Sequence, residues 1–143
     1  MLQGEWSDVV LVGVNPHTNF AKILESVKQT SVDCNLLDPD LLTILNSLRP
    51  KDDYINVIVN CFPLETIRII NLVKENTVGS PLQHLRFNWL LMRCDVTSYP
   101  KLNRSIRKDD NLVILETKAT LYKLKDYIKV NMFGSYLGRH VLI

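Results

Sequence analysis

Three features of the sequence predict an α/β fold: a mostly parallel sheet with helices on both faces, followed by an antiparallel hairpin. Residues 8–14 (DVVLVGV) and 54–60 (YINVIVN) form continuous apolar runs rich in β-branched residues, the pattern of strands buried on both faces. Between such runs lie segments with helical apolar spacing and clear start and stop signals. The resulting order, β-α-β-α-β-α-β as far as residue 92, is that of a parallel sheet with helical crossovers.

The first strand, 8–14, ends at the turn signal Asn15-Pro16. Thr18 or Asn19 can cap a helix over 20–29, in which Phe20, Ile23, Leu24 and Val27 share one face. Residues 31–37 read as a short, weaker strand. Asp38-Pro39-Asp40 then starts a helix, with Pro in the first turn and acids favoured by the helix dipole. That helix stops near Leu48, because Arg49 precedes Pro50 and the residue before proline avoids α geometry.

After the strand at 54–60, Pro63 opens a further helix, with Leu64, Ile67, Leu72 and Ile69 or Ile70 as its apolar side. Gly79-Ser80-Pro81 marks a loop, and 86–92 (RFNWLLM) is the next strand. Phe87, Trp89 and Leu91 share one face by the period of two, and core packing is the natural role of that Trp. Residues 96–108 read as a connection, with its basic cluster in a solvated loop. A strand at 111–116 (NLVILE) and the alternating segment 120–125 (TLYKLK) suggest the hairpin. Residues 1–95 thus make a βα-alternating lobe, and 96–143 supply a connection, the hairpin and a tail packing on the same domain.

A chain of 143 residues, 46% hydrophobic and 22% charged, has the size and composition of one globular domain. A net charge of +2, with scattered basic residues, gives no footprint for nucleic acid. No apolar run approaches the roughly 18 residues that span a bilayer. Met1 to Trp6 lack the basic and apolar regions of a signal peptide. Taken alone the chain is expected inside the cell; taken as part of a longer product, its start does not bear on compartment.

In open α/β sheets, ligands sit at the carboxyl ends of the strands. The first strand leads into Gly13-Val14-Asn15-Pro16-His17, which is neither of the glycine-rich phosphate loops. Asn15 and Asn60 stand where a phosphoacceptor domain would carry acids, and no GxSxG is present. Asn15, His17, Asn60 and Cys61 are therefore the candidate ligand-binding residues. A Cys61–His17 nucleophile pair would need hydrogen-bond geometry and a third, orienting group, so a core cysteine and an exposed histidine are the simpler reading. No catalytic residue, metal ligand or cofactor is expected, since neither His84 nor His140 has a partner at ligand spacing. Glu65 supports the dipole of its helix. Cys34, Cys61 and Cys94 are isolated and odd in number, which leaves their pairing open. Asn103-Arg104-Ser105 is a glycosylation sequon, relevant only to a secreted chain.

The run INVIVNCFPLETIRIINLVKEN, its Gly-Ser-Pro loop and the following LRFNWLLM resemble the amino-terminal domains of ionotropic glutamate receptors. They resemble the divergent insect ionotropic receptors more closely. In that family a strand ending in a small residue or Cys leads into a helix, a loop and an aromatic-rich strand with Trp-Leu-Leu. Residues 108–115 and 121–127 are similar to the family's acidic turn, apolar strand and Tyr-containing element, and Tyr136-Leu137-Gly138-Arg139 to the start of the segment entering the ligand-binding domain. The resemblance implies a periplasmic-binding-protein-like lobe from the extracellular side of a chemosensory ligand-gated cation channel. Other receptor subunits would be its partners and a small molecule a possible ligand. Asn103 would carry a glycan, and membrane attachment would lie in other parts of the parent chain. The alternative is a small cytosolic flavodoxin-like protein that binds a nucleotide or cofactor.

Overall fold

The computed structural model describes residues 9–14, 29–34, 38–47, 54–115 and 140–141. They form a parallel sheet in the order β2-β1-β3-β4-β5-β6. The strands are β1 (Val9–Val12), β2 (Gln29–Val32), β3 (Tyr54–Val59), β4 (Arg86–Leu91), β5 (Asn111–Ile114) and β6 (His140–Val141). Every neighbouring pair is parallel. The α/β class is as expected, and the order reverses at β1: the chain passes first to β2 on one side, then to β3 on the other.

Among the described residues the α-helices are α1 (Asp38–Ser47), α2 (Pro63–Thr77) and α3 (Tyr99–Ser105). One sheet face carries Val10, Val12, Val32, Ile55, Val57, Val59, Phe87, Trp89, Leu91, Leu112 and Ile114 by period-two alternation. These pack into one core with Leu41 and Leu45 of α1, Ile69, Ile70 and Val73 of α2, and Leu102 of α3. Phe87 and Trp89 stack at 5.7 Å between ring centroids, both fully buried. On the opposite face Val9, Leu11, Ile58, Leu90 and Val113 are buried just as completely. Burial on both faces explains why the strands read as continuous apolar runs.

Several boundaries and faces differ from expectation. β2 lies at 29–32, not 31–37, because the edge position lets a polar sequence, QTSV, serve as a strand. The expected helix over 20–29 lies outside the described residues, except that Gln29 already belongs to β2. In α2 the inward face is Thr66, Ile69, Ile70, Val73 and Thr77, while Leu64 is 77% exposed. The expected connection at 96–108 contains a short 3-10 turn, Val96–Ser98, and then α3. Asp95 caps the turn by accepting from the Thr97 amide at 3.1 Å. With one fully buried leucine, Leu102, this helix is too short for its periodicity to show. The β-α-β alternation therefore continues to residue 114.

The antiparallel hairpin is not present among the described residues. Its second strand, 120–125, lies outside them. β5 runs parallel to β4 on one edge, and Val113 and Ile114 pair with His140 and Val141 of β6 on the other. The edge on which a hairpin partner would pair is taken there by a parallel strand.

Candidate functional site

The reversal of strand order at β1 makes the carboxyl ends of β1 and β3 the switch point at which open α/β sheets form their ligand crevice. Four backbone hydrogen bonds, each 2.8 Å, finish the sheet along this edge. The Gly13 amide donates to the Val32 carbonyl, Asn60 to Val12, Met92 to Val59 and Leu115 to Leu91. Cys34 and Cys61 lie just beyond this line, each two residues past the end of its strand. They form a disulfide with a Cα–Cα distance of 5.9 Å.

That bridge spans a strand. β2 and β3 flank β1, so their axes stand about 9.6 Å apart at two strand spacings. The tails of β2 and β3 must therefore converge over the end of β1, and Gly13 is the residue they converge upon. A side-chain carbon at Gly13 would stand 2.2 Å from Cys34 Sγ, 2.8 Å from the Asn60 carbonyl oxygen and 3.0 Å from Cys61 Sγ. Gly13 also has φ +71°, which turns the chain out of β1 in a conformation other residues rarely adopt.

The disulfide corrects the expectation for Cys61. Its sulfur is bonded to Cys34 and the residue is buried, so it is neither a thiol ligand nor a nucleophile. Asn60 is half-buried, and its carbonyl crowds Gly13. Asn15 and His17 lie outside the described residues. Of the four candidates, the structure thus brings Asn60 and Cys61 together at the crevice, with Cys61 as part of its closure. The Gly13 amide is already bonded to Val32 and covered by sulfur, so it cannot cradle a phosphate.

Beside the crevice, Phe62 and Leu64 at the start of α2 are 67% and 77% exposed. The Arg93 guanidinium, following β4, lies 5.2 Å from the Phe62 ring centroid. Glu65 pairs with Arg68 at 3.1 Å one turn later. Cys94 is a free, half-buried thiol; burial, and then the Asp95 charge, push its pKa up, which keeps it protonated and weakly nucleophilic. Among the described residues no group of three or more His, Cys, Asp or Glu could hold a metal. Asn103 is half-buried on α3, and Ser105 of the same sequon is buried, donating to the Lys101 carbonyl at 3.1 Å.

Two polar features away from the crevice escape a reading by periodicity. Asp110, between the expected connection at 96–108 and the expected strand at 111–116, is buried. It accepts from the Phe87 amide at 2.8 Å and from Trp89 Nε1 at 3.5 Å. Burial raises its pKa, against the lowering effect of these donors and of Arg107. Arg107 in turn lies over the Phe87 ring and donates to Thr77 and to the Gln83 carbonyl. The second feature is a row of asparagines in register across β3, β4 and β5. Asn111 donates to Asn88 at 2.8 Å, and Asn88 to Asn56 at 3.1 Å. The row ends there, since β1 offers Val9 at that level.

No protein-family model, curated protein or solved structure matches the chain. No helix among the described residues is long and apolar enough to cross a membrane.

Proposed function

We propose that this chain is a non-catalytic extracellular lobe, part of the amino-terminal region of a chemosensory ligand-gated cation channel, which contributes to ligand recognition or subunit assembly. The observation that carries the reading is the Cys34–Cys61 disulfide. Such bonds persist in oxidising compartments and are rare in the cytosol, where they are mostly transient or redox-sensing. The parallel lobe is compatible with the same reading, as is the resemblance of residues 54–92 and 108–139 to insect ionotropic receptors. Exposed Phe62 and Leu64, with Arg93 beside them, offer residue types that subunit contacts favour.

Expression behind a secretion signal in eukaryotic cells tests this. A folded, secreted product should carry a glycosidase-sensitive glycan at Asn103. A chain that fails to leave the cell, yet folds in the cytosol with three reduced thiols, would contradict it.

The strand order favours a second reading. The sequence β2-β1-β3-β4-β5 is shared by flavodoxin-like nucleotide and flavin binders. Against it, a disulfide lies over the crevice such ligands use. Thermal-shift screening with nucleotides and flavins decides: ligand at 100 times its Kd should add about 2.7 kcal/mol to stability.

A further inference from the structure

We propose that the Cys34–Cys61 disulfide is a redox latch that closes the β1/β3 crevice and can open while the sheet stays folded. The inference rests on the placement of the bridge and stands whether or not the receptor reading does. Among the described residues β2 is an edge strand paired with β1, with Ser31 exposed and Val32 joining the main core. β1, β3, β4 and β5 are bound to one another by their own ladders and buried on both faces. Breaking the bridge therefore frees the end of an edge strand and leaves the centre of the sheet intact.

The two sulfurs differ in access. Cys61 is buried, whereas Cys34 is half-exposed and is the sulfur an incoming thiolate can reach. A dithiol reductant would attack Cys34 Sγ, forming a mixed disulfide and releasing Cys61 as a thiolate that takes up a proton. The second thiol of the reductant then attacks the mixed disulfide and frees Cys34. The reductant leaves as its own disulfide, and the protein has gained two electrons and two protons. With the sulfurs apart, no covalent bond ties Cys34 to the β3 tail above Gly13, and only the weak contact of its sulfur with the Asn60 carbonyl, at 3.6 Å, remains. The Gly13 backbone and the Asn60 carbonyl then line an open crevice at the point where open parallel sheets bind ligands.

The test is hydrogen exchange on the oxidised protein, on the same protein treated with dithiothreitol without denaturant, and on the C34S/C61S variant. Thiol titration should rise to three on reduction, with the far-ultraviolet circular dichroism retained. Exchange at the Gly13 amide, bonded to Val32 of the edge strand, should accelerate about tenfold or more. The Asn60 and Met92 amides, bonded within β1, β3 and β4, should accelerate clearly less than Gly13, following only the general loss of stability from the missing cross-link. A uniform rise at all of these amides would show a staple for the whole fold and overturn the proposal. So would a bond that dithiothreitol cannot reduce in the native protein, or a C34S/C61S chain that does not fold.

Discussion

Replacing Gly13 by Ala tests the crowding at the carboxyl edge. Two effects act on this residue. The left-handed backbone, φ +71°, penalises a non-glycine residue by about 1–2 kcal/mol whatever surrounds it. The new methyl would also stand 2.2 Å from Cys34 Sγ, a distance that cannot coexist with the bridge in place. If the bridge fails to form, the chain loses a cross-link between residues 27 apart, which by loop-closure entropy is worth about 3.5 kcal/mol. G13A should therefore destabilise the oxidised protein by about 5 kcal/mol, a large share of the stability of about 5–15 kcal/mol ordinary for a domain. In a C34A/C61A background only the backbone strain and the Asn60 carbonyl contact remain. A double-mutant cycle by urea unfolding should then show coupling of about 3–4 kcal/mol between Gly13 and the cysteine pair. Equal destabilisation in both backgrounds, with the Cys34–Cys61 bond formed normally in G13A, would refute the reasoning.

Other perturbations probe the sheet and its helices. Asp110 has a raised pKa through burial, so this group's contribution is fully present below its ordinary value of 3.8 and is lost as pH rises through the folded pKa. Wild type should accordingly gain stability relative to D110N as pH falls through that window, measured by urea unfolding across pH. In the asparagine row, N88A leaves Asn111 and Asn56 without their shared partner and should cost about 1–3 kcal/mol. The triple variant N56L/N88L/N111L should cost less than N88A alone if polar satisfaction, not shape, is what the row supplies; denaturant midpoints decide. On α2, I70A should cost about 2–5 kcal/mol and L64S less than about 0.5 kcal/mol, reversing the importance that simple hydrophobicity assigns to Leu64.

Much of the fold is legible because β1, β3 and β4 are buried on both faces past the half-buried Tyr54 and Arg86 that open β3 and β4, and are apolar from there on except where asparagine meets asparagine. The edge strand β2 carries no such constraint. Its sequence, Gln29-Thr30-Ser31-Val32, looks like loop, so a strand is expected two residues too late. That displacement hides the site. With β2 at 31–37, Cys34 falls in mid-strand; with β2 ending at Val32, Cys34 and Cys61 sit at the same level on either side of β1. Two cysteines, each two residues past the end of its strand, on either side of a glycine one residue past the end of β1, are the signal that could have revealed the bridge. The tail misleads for a different reason: the alternation at 120–125 is local, whereas strand pairing depends on which edge of β5 is open. Asp110 is obscured by its neighbours, since Lys108 and Asp109 are exposed and only the third residue of that run turns inward. Burial of its carboxylate depends on the Phe87 amide and Trp89 indole, which lie more than twenty residues earlier.

Non-reducing peptide mapping of the protein expressed behind a secretion signal, alkylated on harvest, decides directly whether the bridge closes over Gly13. A single cross-linked peptide joining Cys34 to Cys61 is expected, with Cys94 alkylated. Alkylation of all three cysteines, or a bond from Cys94 to either of the others, would contradict it.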